Sequence, residues 1–151
     1  MTRQVIGLRS VQPCARPAWA RTRRRPRGAC GIGLRYESAL AKALPSALHN
    51  PWYRFEDANG PGWASPDILT KWQGQTVVLE CKLTDYAEAE TQLRDLYFPL
   101  LEHFYRMPVR GIVVVRSLSA RPNPSRVVCG LAEALAAPGI PIWHWLGRGP
   151  I

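Results

Sequence analysis

Two short apolar runs flank Trp72-Gln73-Gly74-Gln75 in the stretch 65–83, SPDILTKWQGQTVVLECKL. Thr70, Val77, Val78 and Leu79 favour extended backbone and Gly74 supplies a turn, so the pattern predicts an antiparallel hairpin. A loop of two or four residues sets Lys71 against Thr76, and counting outward sets Asp67 against Glu80, with Lys82 on the same side as Glu80. The other face carries Ile68, Val77, Leu79, Cys81 and Leu83 and should pack on a helix.

Elsewhere the periodicity is mixed. From Gly33 to Leu48, Leu40, Leu44 and Leu48 recur at helical spacing with Glu37 and Gly33 on the same line, and Pro45 argues for an early end or a kink. Trp52 to Glu56 alternates as a strand, and residues 57–62 (DANGPG) have the composition of a turn. Leu93, Leu96, Tyr97, Leu100, Leu101 and Phe104 form an amphipathic helical stripe, with Pro99 as a point of kinking. Val109 to Arg116 is an apolar run of strand length, suited to parallel pairing after a helical crossover. Residues 126–137 suit a short helix, and residues 140–146 suit a last edge strand that tolerates Pro141. The order is helix, three strands, helix, strand, helix, strand. It predicts an α/β fold, a mixed central sheet flanked by helices on both faces.

Charge divides the chain. Eight arginines precede Gly28 and the first acid is Glu37, while the remaining twelve Lys and Arg nearly balance eleven Asp and Glu. Residues 1–30 therefore read as an arginine-rich flexible arm and 31–151 as one domain. Arg21, Arg23, Arg24, Arg25 and Arg27 can hold a polyanion by counterion release without reading sequence; a solvated tail without a role fits equally well. Cys14, Cys30, Cys81 and Cys129 include no CxxC pair, and with His49, His103 and His144 they give no zinc-ligand spacing. No apolar run approaches the roughly 20 residues needed to cross a bilayer, and the first thirty residues lack a secretory block. A reduced cytoplasmic protein, neither secreted nor in a membrane, is the expectation.

The chemistry centres on Asp67, Glu80 and Lys82. Two hard oxygen donors with room for water suit Mg²⁺ or Mn²⁺, and a lysine beside them can orient or deprotonate a water, as phosphodiester hydrolysis requires. The spacing alone is a modest signal, since ExK triplets are frequent as solvated ion pairs on exposed strands. Glu37 on its apolar stripe is either a first-turn acid complementing the helix dipole or a residue aimed into the site. Gln92, on the side of Ala89 and Leu96, either faces the hairpin's polar end or lies on the helix flank.

Pro66-Asp67, followed after twelve residues by Glu80-Cys81-Lys82, resembles the motif of the PD-(D/E)xK nuclease superfamily, and the expected element order is similar to its restriction-endonuclease-like αβββαβ core. The wider run from Tyr36-Glu37 through PWYRF to LECKLT and QLRDLY is similar to small phage-encoded members. The resemblance implies a Mg²⁺-dependent (or Mn²⁺-dependent) deoxyribonuclease, an endonuclease. Asp67 and Glu80 would be metal ligands, Lys82 would act on the water, Glu37 would support the metal site, and Gln92 would be the polar residue of the following helix. The RecB-like branch places a tyrosine four positions after that glutamine; here the position is Leu96 and Tyr97 follows, which leaves the role of Tyr97 open. DNA is the implied partner, with RNA as the other polyanion; a homodimer and phage virion or replication partners stay open. The competing reading is a non-catalytic nucleic-acid-binding or phage-assembly protein on a nuclease fold, against which stands the cost of burying a carboxylate pair without a cation. Trp52, Trp63 and Trp72 flank the site in sequence; packing suits Trp52, and Trp63, beside Gly62, suits substrate contact. His144 between two tryptophans reads as structural.

Overall fold

A computed structural model describes residues 3–20, 37–82, 87–116 and 124–145. Its elements are β1 (Ser10–Cys14), a 3₁₀ turn (Ala18–Ala20), α1 (residues 37–43), β2 (Leu48–His49), β3 (Trp52–Asp57), β4 (Gly60–Ala64), β5 (Ile68–Trp72) and β6 (Gln75–Lys82). There follow α2 (Ala87–Gln92), a π-helical turn (Leu93–Tyr97), α3 (Phe98–Tyr105), β7 (Val109–Arg116), α4 (Pro124–Ala136) and β8 (Ile142–Trp145). They build a mixed α/β structure with two sheets, ordered β2-β5-β6-β7-β8 and β1-β3-β4.

The hairpin forms in the expected register. Lys71 pairs with Thr76 and Trp72 with Gln75, so the loop is the two residues Gln73 and Gly74, both at positive φ (50° and 79°). That is the type I′ geometry whose twist matches the strands. β6 then pairs in parallel with β7, and β7 with β8.

Each face of the five-stranded sheet has its own core. On one side Ile68, Val77, Leu79, Ile112 and Val114 meet Leu40 and Leu44 of the first helical segment and Val127 and Leu131 of α4. On the other, Leu69, Val78 and Val113 meet Leu93, Leu96, Tyr97, Leu100 and Leu101, joined by Tyr53, Phe55 and Ala64 of the small sheet. A fully buried side chain of this kind contributes about 1.5–3 kcal/mol. Gly111 of β7 is a point of close approach, where a Cβ would lie 2.6 Å from the Phe98 ring.

Three expectations are corrected. The strand 52–57 does not join the main sheet; it is the centre of the small one, and the partner of β5 is the two-residue β2. Leu48 is therefore not on the helical stripe, which ends before Pro45, and is 52% exposed. The glycine-rich stretch after Asp57 turns only at residues 58–59 and then forms β4.

The boundary of the arm also moves. Residues 10–14 pair with β3, Arg9 N–H donates to Glu56 O, and Ala58 N–H donates to Ile6 O. Arg3 donates to Asp57 Oδ1 at 2.6 Å, to Pro61 O and to Gly60 O, and stacks on Phe55. Val5 N–H donates to the carbonyl of Asp95, the acceptor left free because Pro99 has no N–H to give it. The arginine run 21–27, Leu83 and the side chain of His144 lie outside the described residues.

Candidate active site

β5 and β6 position the central pair. Ile68 faces Leu79, so one residue further out Asp67 meets Glu80, which is only 2% exposed. Asp67 N–H donates to Glu80 Oε1 at 3.1 Å, Cys81 N–H donates to Asp67 Oδ2 at 2.8 Å, and the two carboxyl groups lie within hydrogen-bonding reach of each other. Asn50 N–H donates to Asp67 O, fixing the strand entrance from the β2 side. Glu37 comes from α1 with its side chain 14% exposed, and its Oε2 lies 3.3 Å from His49 Nε2. The half-buried Lys82 acts electrostatically on all three carboxylates.

One ammonium does not balance three carboxylates. Burial and then the charge of Asp67 push the Glu37 carboxyl up to about 8, against the pull of Lys82. Burial raises Asp67, opposed by the Cys81 N–H, Lys82 and the hydrogen bond with Glu80. Glu80 is pushed well above the usual range by burial and then by Asp67. The pocket is short of positive charge, the condition in which a cation is taken up. Burial and then Asp67, Glu37 and Glu80 push the Cys81 thiol up, which excludes a thiolate nucleophile at neutral pH.

Asp67 and Glu80 are the donors that meet. Among the described residues no group of three or more His, Cys, Asp or Glu side chains is arranged to hold a metal ion. Mg²⁺ takes only one or two carboxylates from a protein and fills its shell with water, so the pair fits it. Glu37 stands beside that pair with its carboxyl engaged by His49.

The helical side supplies Gln92 and Tyr97. Gln92 ends α2, which packs on β6, and its Oε1 is buried without a hydrogen-bond partner among the described residues, as is Ser65 Oγ. Phe98 N–H donates to Leu93 O, a π-type bond, so one turn here holds an extra residue. Residues five apart then stack where four would in an α-helix, and Tyr97 comes onto the line of Gln92. Tyr97 donates to Ser65 O at 3.1 Å, and burial followed by the charges of Glu80, Asp67 and Glu37 raises its phenol.

Two neighbours escape sequence reasoning. His49 and Asn50 flank Glu37 and Asp67, with Asn50 Nδ2 3.2 Å from His49 Nε2 and Asn50 at φ 51°. Burial lowers the His49 pKa and so favours the neutral imidazole. The only sequence signal was the Asn-Pro break at 50–51, which marks a turn without showing what it faces. Trp72 packs on the core beneath the hairpin, and Trp63 is 39% exposed.

The chain matches no family model and no curated protein. Among solved structures it is similar to protein VC1899 from Vibrio cholerae, with 12% identity and a TM-score of 0.35 over 76% of this chain and 28% of that one. The chain thus spans 28% of that protein's length, and likeness at this level bears on neither fold nor function.

Proposed function

We propose that the chain is a metal-dependent nuclease with a restriction-endonuclease-like core, hydrolysing phosphodiester bonds of DNA at Asp67, Glu80 and Lys82. The observation that carries the reading is the Asp67–Glu80 pair, buried at the end of the hairpin with Lys82 beside it and Glu37 behind it. Asp67 and Glu80 would hold Mg²⁺ or Mn²⁺. The ion, when bound, would acidify a water and neutralise charge building on the phosphate.

The protein's own residues do the rest. The Cys81 and Asn50 amides lock Asp67 in place, so its carboxylate does not swing away from Glu80. Lys82 can orient a water as the ammonium or, once it has given up its own proton, accept the water's proton as the neutral amine. Gln92, whose buried carbonyl oxygen has no hydrogen-bond partner among the described residues, can fix a water or a substrate donor, and Tyr97 braces the chain entering Asp67 through Ser65 O. Arg21, Arg23, Arg24, Arg25 and Arg27 would add affinity for the polyanion without selecting sequence.

A second reading has one observation in its favour. The two carboxyls already reach each other, which a shared proton would satisfy in a binding protein without a cation. Purified protein incubated with supercoiled plasmid or single-stranded DNA separates the two: cleavage with Mg²⁺, none with EDTA, and none in Lys82→Ala supports the nuclease, while cleavage indifferent to Asp67→Ala and Lys82→Ala removes it. Matched DNA and RNA substrates assign the polymer.

A further inference from the structure

The outer face of the small sheet is unlike any other surface of the described residues. Along β3 the side chains alternate, Tyr53 and Phe55 inward, Trp52 and Arg54 outward, and Trp63 lies directly across from Arg54. Trp19, on the 3₁₀ turn, stands 5.9 Å from the Trp52 ring and 6.1 Å from the Trp63 ring at interplanar angles of 89° and 82°. Edge-to-face packing keeps the indoles from collapsing face on face. Trp19 is 69% exposed and Trp63 39%, and the Arg54 guanidinium sits over Trp63 at 5.7 Å. The turn is held from within, since Arg16 donates twice to Ala20 O, at 3.1 and 2.7 Å.

Exposing that much indole is costly unless something covers it, and the charge next to it in the sequence says what. Five of the seven positions that follow Ala20 in the sequence are arginine, and no acid precedes Glu37. The acid on this face, Glu56, sits opposite Pro61 and Ser10, two residues beyond Arg54 and away from the indoles. A polyanion carrying planar bases fits; an acidic protein surface would leave the indoles without a stacking partner.

The placement also gives direction. Tyr53 pairs with Ala64, the last residue of β4, and the chain reaches Asp67 three residues later; on the other side Trp52 comes two residues after Asn50, whose amide holds Asp67 O. The indole end of the small sheet therefore adjoins both strands of chain that enter the carboxylate site.

We propose that Trp19, Trp52, Trp63 and Arg54 form a stacking platform for the bases of single-stranded nucleic acid, adjoining the carboxylate site. The platform names the substrate form of the nuclease reading and rests on that reading only for the strand's destination. Stacking on aromatic side chains is tolerant of sequence and selects single strands, because duplex bases keep their faces to themselves.

Anisotropy in EDTA tests it without cleavage, using fluorescein-labelled oligothymidylate of about 16 nucleotides, the upper site size of single-strand binders, the matching oligouridylate, and a duplex of the same length. One or both single strands should bind at least about tenfold more tightly than the duplex, and Trp19→Ala and Trp63→Ala should each lose about tenfold, within what one stacked base contributes. The polymer bound more tightly identifies the substrate sugar. Unlabelled oligothymidylate or oligouridylate should also quench the tryptophan emission of the unmodified protein, a readout independent of whether a variant folds. Equal affinity for duplex and single strands, affinity unchanged in folded protein carrying Trp19→Ala and Trp63→Ala together, or no quenching overturns the platform. Single-strand binding without Mg²⁺-dependent cleavage removes the nuclease and leaves the platform standing; cleavage with no single-strand preference does the reverse.

Discussion

Asp57 and Glu80 are both buried acids, 1% and 2% exposed, and their surroundings treat them in opposite ways. Burial raises Asp57, but Arg3 donates to it, the amides of Asn59 and Ile6 donate to it, and the net result is a carboxyl held below its ordinary value. Glu80 has one backbone donor and a lysine shared with two other carboxylates, and is held well above its ordinary value. Asp57 is a completed clip that fastens the N-terminal segment to the β3–β4 turn. Glu80 belongs to a set short of positive charge, and that shortage separates a candidate site from a structural ion pair.

Mutation should break this comparison most sharply. Lys82→Ala or Asp67→Ala should lower plasmid cleavage by at least about 100-fold, the lower end of what a positioned acid or base contributes. Asp57→Asn should lower the melting temperature, because it strips Arg3 of its partner, while folded Asp57→Asn protein still cleaves. Cleavage rates read beside thermal melts separate the two effects.

Adding the cation should sharpen it further. Mg²⁺ at about 100 times its Kd stabilises a folded protein by about 2.7 kcal/mol, roughly 5–10 °C for a domain of this size. Glu80→Gln should erase that shift, measured by scanning fluorimetry, and Asp57→Asn should keep it. A shift retained in Glu80→Gln would place the ion elsewhere.

pH acts with opposite sign on Asp57 and on Glu37, the neighbour of Glu80 in the carboxylate set. Glu37 rises from an ordinary 4.5 to about 8, so the folded state binds more protons than the unfolded chain across that window. Stability without metal therefore falls as pH climbs from about 4.5 to about 8 and levels off above it. Asp57, with its lowered pKa, contributes stability above its unfolded value near 4 that is lost as pH falls through the folded one. Melting temperatures in EDTA should thus be highest at mildly acidic pH, and saturating Mg²⁺ should flatten the decline on the alkaline side.

How legible each region was in the sequence follows from its chemistry. The hairpin could be read because Val77, Val78 and Leu79 fit only an extended, buried strand and Gly74 permits the tight turn, so one register put Asp67 against Glu80. The small sheet was hidden by its own edges. β1 contains Pro13 and β4 reads GPGWA, compositions that mark loops, yet both are edge strands, where proline's missing N–H costs no ladder bond. The arginines in the first thirty residues masked Val5, Leu8 and Val11, which pack on the second core. His49 was a lone histidine until the fold set it beside Glu37.

The smallest effect concerns the extra residue in the π turn. An α-helical reading puts Leu96 in line with Gln92 and turns Tyr97 away, whereas the π bond from Phe98 to Leu93 brings the phenol to Ser65 O. Tyr97→Phe removes that bond, which contributes about 1 kcal/mol, and should lower the melting temperature by about 2–4 °C. Its larger consequence is positional. Ser65 lies two residues before Asp67, so a loosened Ser65 carbonyl lets the Asp67 carboxylate wander from Glu80. Cleavage at saturating Mg²⁺ should change little, while the Mg²⁺ concentration giving half the maximal rate should rise about tenfold, as when a group behind a metal ligand is lost. A Tyr97→Phe enzyme with unchanged Mg²⁺ dependence would show that the phenol braces only the core, and that the extra residue serves packing rather than the site.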